Sequence, residues 1–234
     1  MRKTIQMLIL LTSSILLAQS PWSISKPADE TSKFKTYTGS IYASNSYEQS
    51  SVIDEKSGTY DADLRYNVHN DALEYKNGSK MYQVIKTPTI HVRIQDDYYY
   101  YCDFKTQRGL KKKGYFILVE LNDLYRIYKK QELKITEPQE MDTMTGSAVT
   151  GKIKTITKFY VEENGVIMEL PMNKRAMLST FSDKEKELKM YMKKEKIKLR
   201  KEEDLIRFVA KYNALKNIDA NPSRSLLSNT VQNN

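Results

Sequence analysis

The 234-residue chain has one cysteine, two histidines, one tryptophan, six prolines and eight glycines. One cysteine cannot close an internal disulfide, which excludes a small disulfide-stapled scaffold. So few glycines exclude a collagen-like repeat. After residue 20 no stretch approaches the roughly 18 consecutive apolar residues of a spanning helix, which excludes a polytopic membrane protein. The histidines, His69 and His91, form no paired metal motif, and no Cys/His zinc spacing exists. There is no Gly-rich phosphate loop and no Gly-x-Ser-x-Gly elbow. No cofactor and no metal are therefore expected, and no nucleophile–base pair stands out, so a non-enzyme is the favoured reading.

What is present begins with the first 20 residues. Arg2 and Lys3 form a short positive segment, and Ile5 to Leu17 is almost wholly apolar. That run is shorter than the about 20 residues a bilayer span needs, and it fits the apolar core of a secretory signal peptide. Cleavage after Ala18 is favoured over Ser20, because Pro21 would follow the second cut. The only cysteine, Cys102, is far from this segment, so a lipoprotein anchor is not expected. The chain is expected to be exported to the periplasm or beyond, with no transmembrane segment left after cleavage. Export also argues against a nucleic-acid partner.

From about residue 35 to 136 the hydrophobic period is two. Tyr60, Ala62, Leu64, Tyr66 and Val68 alternate with Asp61, Asp63, Arg65, Asn67 and His69, which predicts a strand with one core face and one wet face. Ile90, Val92 and Ile94 alternate with His91 and Arg93 in the same way. Tyr98 to Phe104 and Tyr115 to Leu121 are apolar on both parities, the pattern of strands covered on both sides. Asn70-Asp71, Asn77-Gly78, Gln95-Asp96-Asp97, Asn122-Asp123 and Asn164-Gly165 supply turns. The runs are too closely spaced for crossover helices, so the sheet is expected to be antiparallel. Leu110 to Lys113, between two glycines, reads as a basic loop.

After Pro171 the period becomes helical. Asn173 is placed to cap a first short helix, and Ser182 to Glu185 has the form of a capping box for a second. A third is expected from Lys201 to Lys216, with Leu205, Val209 and Tyr212 as its buried stripe and Ile206 and Leu215 beside it. Ile197 and Leu199 are expected to peg the connector to the same core. The fold class is thus α+β: an antiparallel β-meander of about eight to ten strands, as a curved sheet, open barrel or sandwich, followed by three short helices. The organisation expected is a signal peptide at 1–20, a β region at 21–170 with a mobile loop at 137–150, a helical segment at 171–216 packed on the sheet, and a disordered tail at 217–234.

The net charge of +9 is not evenly spread. Residues 21–150 carry equal numbers of acidic and basic side chains, whereas residues 151–216 carry seventeen basic against ten acidic. The densest run is Lys193, Lys194, Lys196, Lys198, Arg200 and Lys201. A solvated helix end accounts for it in the simplest way, because cations there offset the helix dipole. Attraction to an anionic surface is the functional reading.

Fourteen of the seventeen tyrosines lie between Tyr37 and Tyr128. Tyrosine packs well on half-buried sheets, and it also builds binding surfaces. Alternation sends Tyr98 and Tyr100 to one face and Tyr99 and Tyr101 to the other. The binding candidates are Tyr99, Tyr101, His91, Arg93 and Arg65. Were the strands of His69 and His91 adjacent, a cluster of His, Arg and Asp would form.

Leu64-Arg65-Tyr66-Asn67 followed by Leu73-Glu74-Tyr75 resembles a strand pair of uncharacterised secreted proteins of Bacteroidetes. Met177 to Lys184, then Leu188, Tyr191, Lys196, Glu202-Glu203-Asp204-Leu205 and Tyr212-Asn213, is similar to their C-terminal helices. The resemblance implies a cell-envelope or secreted bacterial protein of unknown role, and it carries no catalytic residues. The favoured function is a non-catalytic envelope module, binding or structural, that meets a protein, glycan or lipid through its tyrosine-rich sheet. A carrier of a lipid or hydrophobic ligand is the alternative and requires an apolar pocket of several hundred Å3 closed by the helices. A hydrolase requires His69 or His91 beside a carboxylate.

Overall fold

In the computed structural model, residues 24–28, 32–138 and 150–218 are described. The expected signal peptide at 1–20, most of the expected loop at 137–150 and all but the first two residues of the expected tail lie outside them. Among the described residues eleven strands form: β1 (Ser25–Pro27), β2 (Glu48–Asp54), β3 (Gly58–Asn67), β4 (Ala72–Asn77), β5 (Lys80–Val84), β6 (Ile90–Ile94), β7 (Asp97–Thr106), β8 (Lys111–Leu121), β9 (Arg126–Thr136), β10 (Lys152–Glu163) and β11 (Val166–Leu170). That is one more than the expected upper count. Three helices follow, α1 (Lys174–Thr180), α2 (Glu185–Lys194) and α3 (Glu202–Ile218). None is long and apolar enough to cross a membrane.

The strands pair in the order β1-β5-β4-β3-β2-β6-β7-β11-β10-β9-β8, and β8 pairs back onto β7. Every pairing is antiparallel except β11–β7, which is parallel. The last five strands therefore form a ring of hydrogen-bonded neighbours. Each contributes one ring or branched side chain to a shared cluster: Phe104, Phe116, Tyr128, Tyr160 and Ile167. Phe116 meets Phe104, Tyr128 and Tyr160 at centroid separations of 5.1, 6.0 and 5.7 Å, mostly edge to face, the geometry that aromatic quadrupoles favour.

The β7–β8 hairpin is covered on both sides, as its apolar run implies. Its even positions, such as Phe104 and Phe116, face the ring cluster. Its odd positions, Tyr99, Tyr101, Tyr115 and Ile117, join a second cluster with Val52, Leu64, Tyr66 and Val92 from the N-terminal strands. A third cluster covers β9, β10 and β11 with the helices; Ile127, Phe159, Val161 and Leu170 meet Met177, Leu188, Leu205, Phe208 and Tyr212 there. Leu199 is buried and Ile197 packs beside it, so the connector is pegged as expected.

Local departures have local causes. Asn173 caps α1 by accepting from Arg175 N–H at 2.9 Å and Ala176 N–H at 3.2 Å. The capping box at Ser182–Glu185 does not form: these residues turn as a 3-10 segment and α2 starts without a side-chain cap. The Asp183 carboxylate instead accepts the Tyr212 hydroxyl of α3 at 3.1 Å. Lys111, Lys112 and Lys113 are strand, not loop, and Lys113 pairs with Asp103 across the hairpin at 2.8 Å.

One polar cluster ties the two halves together. Asp71, in the left-handed region at φ +50°, sits in the β3–β4 turn. Its carboxylate accepts from the Tyr66 hydroxyl, from Tyr115 N–H at 3.1 Å and from the Lys130 ammonium at 3.3 Å. Lys130 also donates to the Tyr115 carbonyl at 3.0 Å and lies 4.8 Å over the Phe116 ring. The approach requires glycine at position 114, because a Cβ there would strike the Asp71 carboxylate and the Lys130 ammonium. At the same parity on β9, two residues beyond Tyr128 in the other direction, Arg126 pairs with the buried Glu162 at 3.2 Å.

Candidate functional site

Antiparallel pairing places directly opposite residues on one face of a sheet. Across β3, β2, β6 and β7 the register gives the row Asp61, Ser51, Arg93, Tyr98, and beside it the row Thr59, Ile53, His91, Tyr100. The interleaved row, Tyr60, Val52, Val92 and Tyr99, belongs to the second core cluster. One face of these four strands is thus core; the other is open over β3, β2 and β6, where Thr59, Asp61 and Arg93 are exposed, and is half-covered at Tyr98 and Tyr100 of β7.

A cleft of about 570 Å3 opens on that outer face, lined by Glu48, Gln49, Ser50, Ser51, Asp61, Arg93 and Gln95. Its polar groups are held by neighbours. Ser51 donates to the Asp61 carboxylate at 3.0 Å. Glu48 accepts from Ser46 at 2.7 Å, Ser44 at 3.0 Å and Gln95 at 3.0 Å. These bonds, Ser46 first, hold its carboxyl below the usual range, because they favour the charged form. Arg93 is exposed and joins no ion pair among the described residues. Tyr98 stands across from Arg93, and His91 stacks on Tyr100 at 4.9 Å with the rings 16° apart. The face offers fixed acceptors, an uncommitted guanidinium donor fork and ring surfaces at its flank.

The lowered carboxyl gives a pH expectation. A depressed carboxyl contributes stability that is present above its unfolded value and lost as pH falls through its folded value. The Ser44–Ser46–Glu48–Gln95 cluster is therefore expected to stay closed at neutral pH and to open only below the normal Glu midpoint near 4.5. An NMR titration of the Glu48 carboxyl carbon checks this; a midpoint at or above that value would contradict it.

Among the expected site residues, the structure brings His91 and Arg93 together on this face. Tyr99 is only 4% exposed and Tyr101 packs against the same core, stacked edge to face on Tyr115. The expectation that these two tyrosines present a binding surface is corrected: the tyrosines beside Arg93 and His91 are Tyr98 and Tyr100. Arg65 shares the outer parity but is engaged elsewhere. Its guanidinium lies 3.5 Å from the Tyr42 ring centroid and 4.6 Å from that of Tyr47, and it pairs with buried Glu74 at 3.5 Å. Glu74 accepts in turn from Asn67 at 2.7 Å.

The two histidines are not neighbours. His69 lies beyond the end of β3, where it packs edge to face on Phe34 at 4.5 Å. His91 opposes Ile53 and hence Thr59, at the other end; eight residues of strand, about 26 Å, separate Thr59 from Asn67, and His69 lies in the turn beyond. Neither histidine bonds a carboxylate among the described residues, and no group of three or more His, Cys, Asp or Glu is placed there to hold a metal.

None of the seventeen tyrosines is fully exposed; all are buried or half-buried. Sheet packing therefore explains most of them. Cys102 is half-buried, and burial first, then the charge of Glu162, pushes its thiol up to about 12, so it stays an unreactive thiol. An apolar pocket between Ile24, Val52, Leu64, Tyr75 and Val84 measures about 30 Å3, the room of roughly one water rather than an acyl chain. The expected basic residues Lys193, Lys194, Lys196, Lys198, Arg200 and Lys201 are all exposed. No protein-family model matches the chain, and the searches of curated proteins and of solved structures returned no match.

Proposed function

We propose that the protein is an exported, non-catalytic binding module of the bacterial cell envelope, and that it holds a glycan on the outer face of β3, β2, β6 and β7. The observation that carries this reading is the cleft around Arg93, with Glu48 and Asp61 preset by hydroxyl and amide donors and Tyr98 at its side. A polyhydroxylated ligand needs acceptors and planar donors at fixed spacing, together with a ring to cover its C–H face. Charge-assisted bonds from a guanidinium supply both energy and direction. The export part of the reading rests on the leader at 1–20, and the bacterial part on the family resemblance. The tyrosine-rich sheet contributes through Tyr98 and Tyr100, which share a face with the cleft, rather than through a broad exposed patch.

The test is calorimetric titration with soluble fragments of envelope polysaccharides. Arg93→Ala is expected to weaken binding by about ten- to a hundredfold, the loss of a charged hydrogen bond. Because Arg93 is exposed and unpaired, its removal should leave the melting temperature unchanged. No binding by the native chain, or equal binding by Arg93→Ala, would sink the reading.

A further inference from the structure

Six cations crowd one stretch of the helical segment. Lys193 and Lys194 end α2, Lys196, Lys198 and Arg200 lie in the connector, and Lys201 precedes α3. All are exposed, and none joins an ion pair among the described residues. The connector is not a loose tether. Lys196, at φ +53°, turns the chain after α2. Ile197 N–H donates to the Met192 carbonyl at 3.0 Å, and Lys198 N–H to the Asp204 carboxylate at 2.9 Å. Buried Leu199 and packed Ile197 point inward, so the intervening Lys196, Lys198 and Arg200 are turned outward. The carboxylate within this stretch, Glu195, is committed to Arg207 at 2.9 Å.

A second observation says what kind of anion fits. Met190, on α2, is 66% exposed. Lys186 lies four residues before it, and Lys193 and Lys194 lie three and four after, so three cations flank it on the helix surface against one carboxylate, Glu187, three residues before. Leu188 and Met192 of the same helix are buried. Residues 186–201 hold eight basic and two acidic side chains. An apolar side chain standing among ammonium groups matches a bilayer surface, where phosphates meet the cations and the thioether enters the acyl boundary. A dissolved polyanion would use the cations and leave Met190 idle.

We propose that the outer face of α2 and its connector to α3 dock on the surface of an anionic phospholipid bilayer. The docking is independent of the glycan cleft and orients the sheet relative to the membrane.

The test is flotation of the full chain with phosphatidylcholine vesicles, with and without phosphatidylglycerol. Binding is expected only with phosphatidylglycerol and should fall with added salt. The triple variant Lys196→Gln, Lys198→Gln, Arg200→Gln is expected to bind about a hundredfold more weakly, each cation counting roughly fivefold. Met190→Ser is expected to weaken binding by about threefold. Thermal unfolding of both variants should match the parent, which separates lost docking from lost fold. Absence of binding, binding indifferent to phosphatidylglycerol, or binding that survives the triple variant overturns the proposal. So does an unchanged Met190→Ser with dextran sulfate bound as tightly as the vesicles, which would assign the patch to a soluble polyanion.

Discussion

Replacing Phe208 with alanine is expected to lower the unfolding free energy by about 3–5 kcal/mol. Phe208 is fully buried on α3, packs edge to face on Phe181 at 5.6 Å, and lies in the cluster that joins the helices to β9, β10 and β11. Truncation removes the transfer free energy of the ring and leaves a cavity between helix and sheet that the backbone cannot fully close. For a chain of this size the melting temperature should fall by roughly 10 °C. Thermal unfolding followed by far-ultraviolet and near-ultraviolet dichroism provides the measurement. One coincident, shifted transition is expected, because helix and sheet share one core. A helical signal that melts separately, or a loss below about 1 kcal/mol, would mean that the helices do not depend on that core.

Asp71→Ala is the second large effect, at about 3 kcal/mol. The substitution leaves the Lys130 ammonium, its side chain only 12% exposed, without its partner carboxylate, the costly half of breaking a largely buried pair. It also orphans the Tyr66 hydroxyl and puts alanine at a positive φ, which adds about 1 kcal/mol of strain. Asp71→Asn isolates the charge, since asparagine tolerates that backbone. In the Asn background, Lys130→Met is expected to be neutral or stabilising, whereas alone it should destabilise, because it removes one partner of the pair. Denaturant unfolding of the four members of this cycle gives the coupling. Additive effects would show that Asp71 and Lys130 do not act as a pair.

Much of the fold was legible because the physics behind it is local. Alternation at Tyr60–Val68 and Ile90–Ile94 is a direct record of one buried face, and Leu64, Val92 and Ile94 are buried accordingly. Turn residues fell where strands end; Asp71, Gln95 and Asn164 all take positive φ. Pairing across distance left no such record. Nothing in the residues of β2 states that its second neighbour is β6, or that β11 returns in parallel to β7. The cleft around Arg93 exists only because those pairings align Asp61, Ser51 and Arg93, so its lining could not be read in advance.

The parity of the tyrosine run was also hidden. With apolar rings on both parities, Tyr98 to Tyr101 gives no hint of which pair faces which compartment; the choice is made by Phe104 and by the partners Ile117 and Phe116. Phe208 lies outside the stripe that Leu205, Val209 and Tyr212 complete by themselves, so their spacing does not point to it. A wider stripe, three residues on from Leu205, was the available signal. The capping box failed for a tertiary reason: Asp183 is held by Tyr212, and the segment tightens into a 3-10 turn.

The hairpin of β7 and β8 divides two cores, and this has a consequence for how alignment along it is enforced. A slip of β7 by one residue would exchange the occupants of both compartments. Across Tyr98–Tyr101 that exchange replaces phenol with phenol, so this stretch does little to resist it. Resistance falls to the far end, where Phe104 would trade places with charged Asp103, and to Gly114, whose bare backbone opposite Cys102 leaves space for an acidic side chain from the other half. The monotonous stretch can glide; its uneven neighbours act as the ratchet.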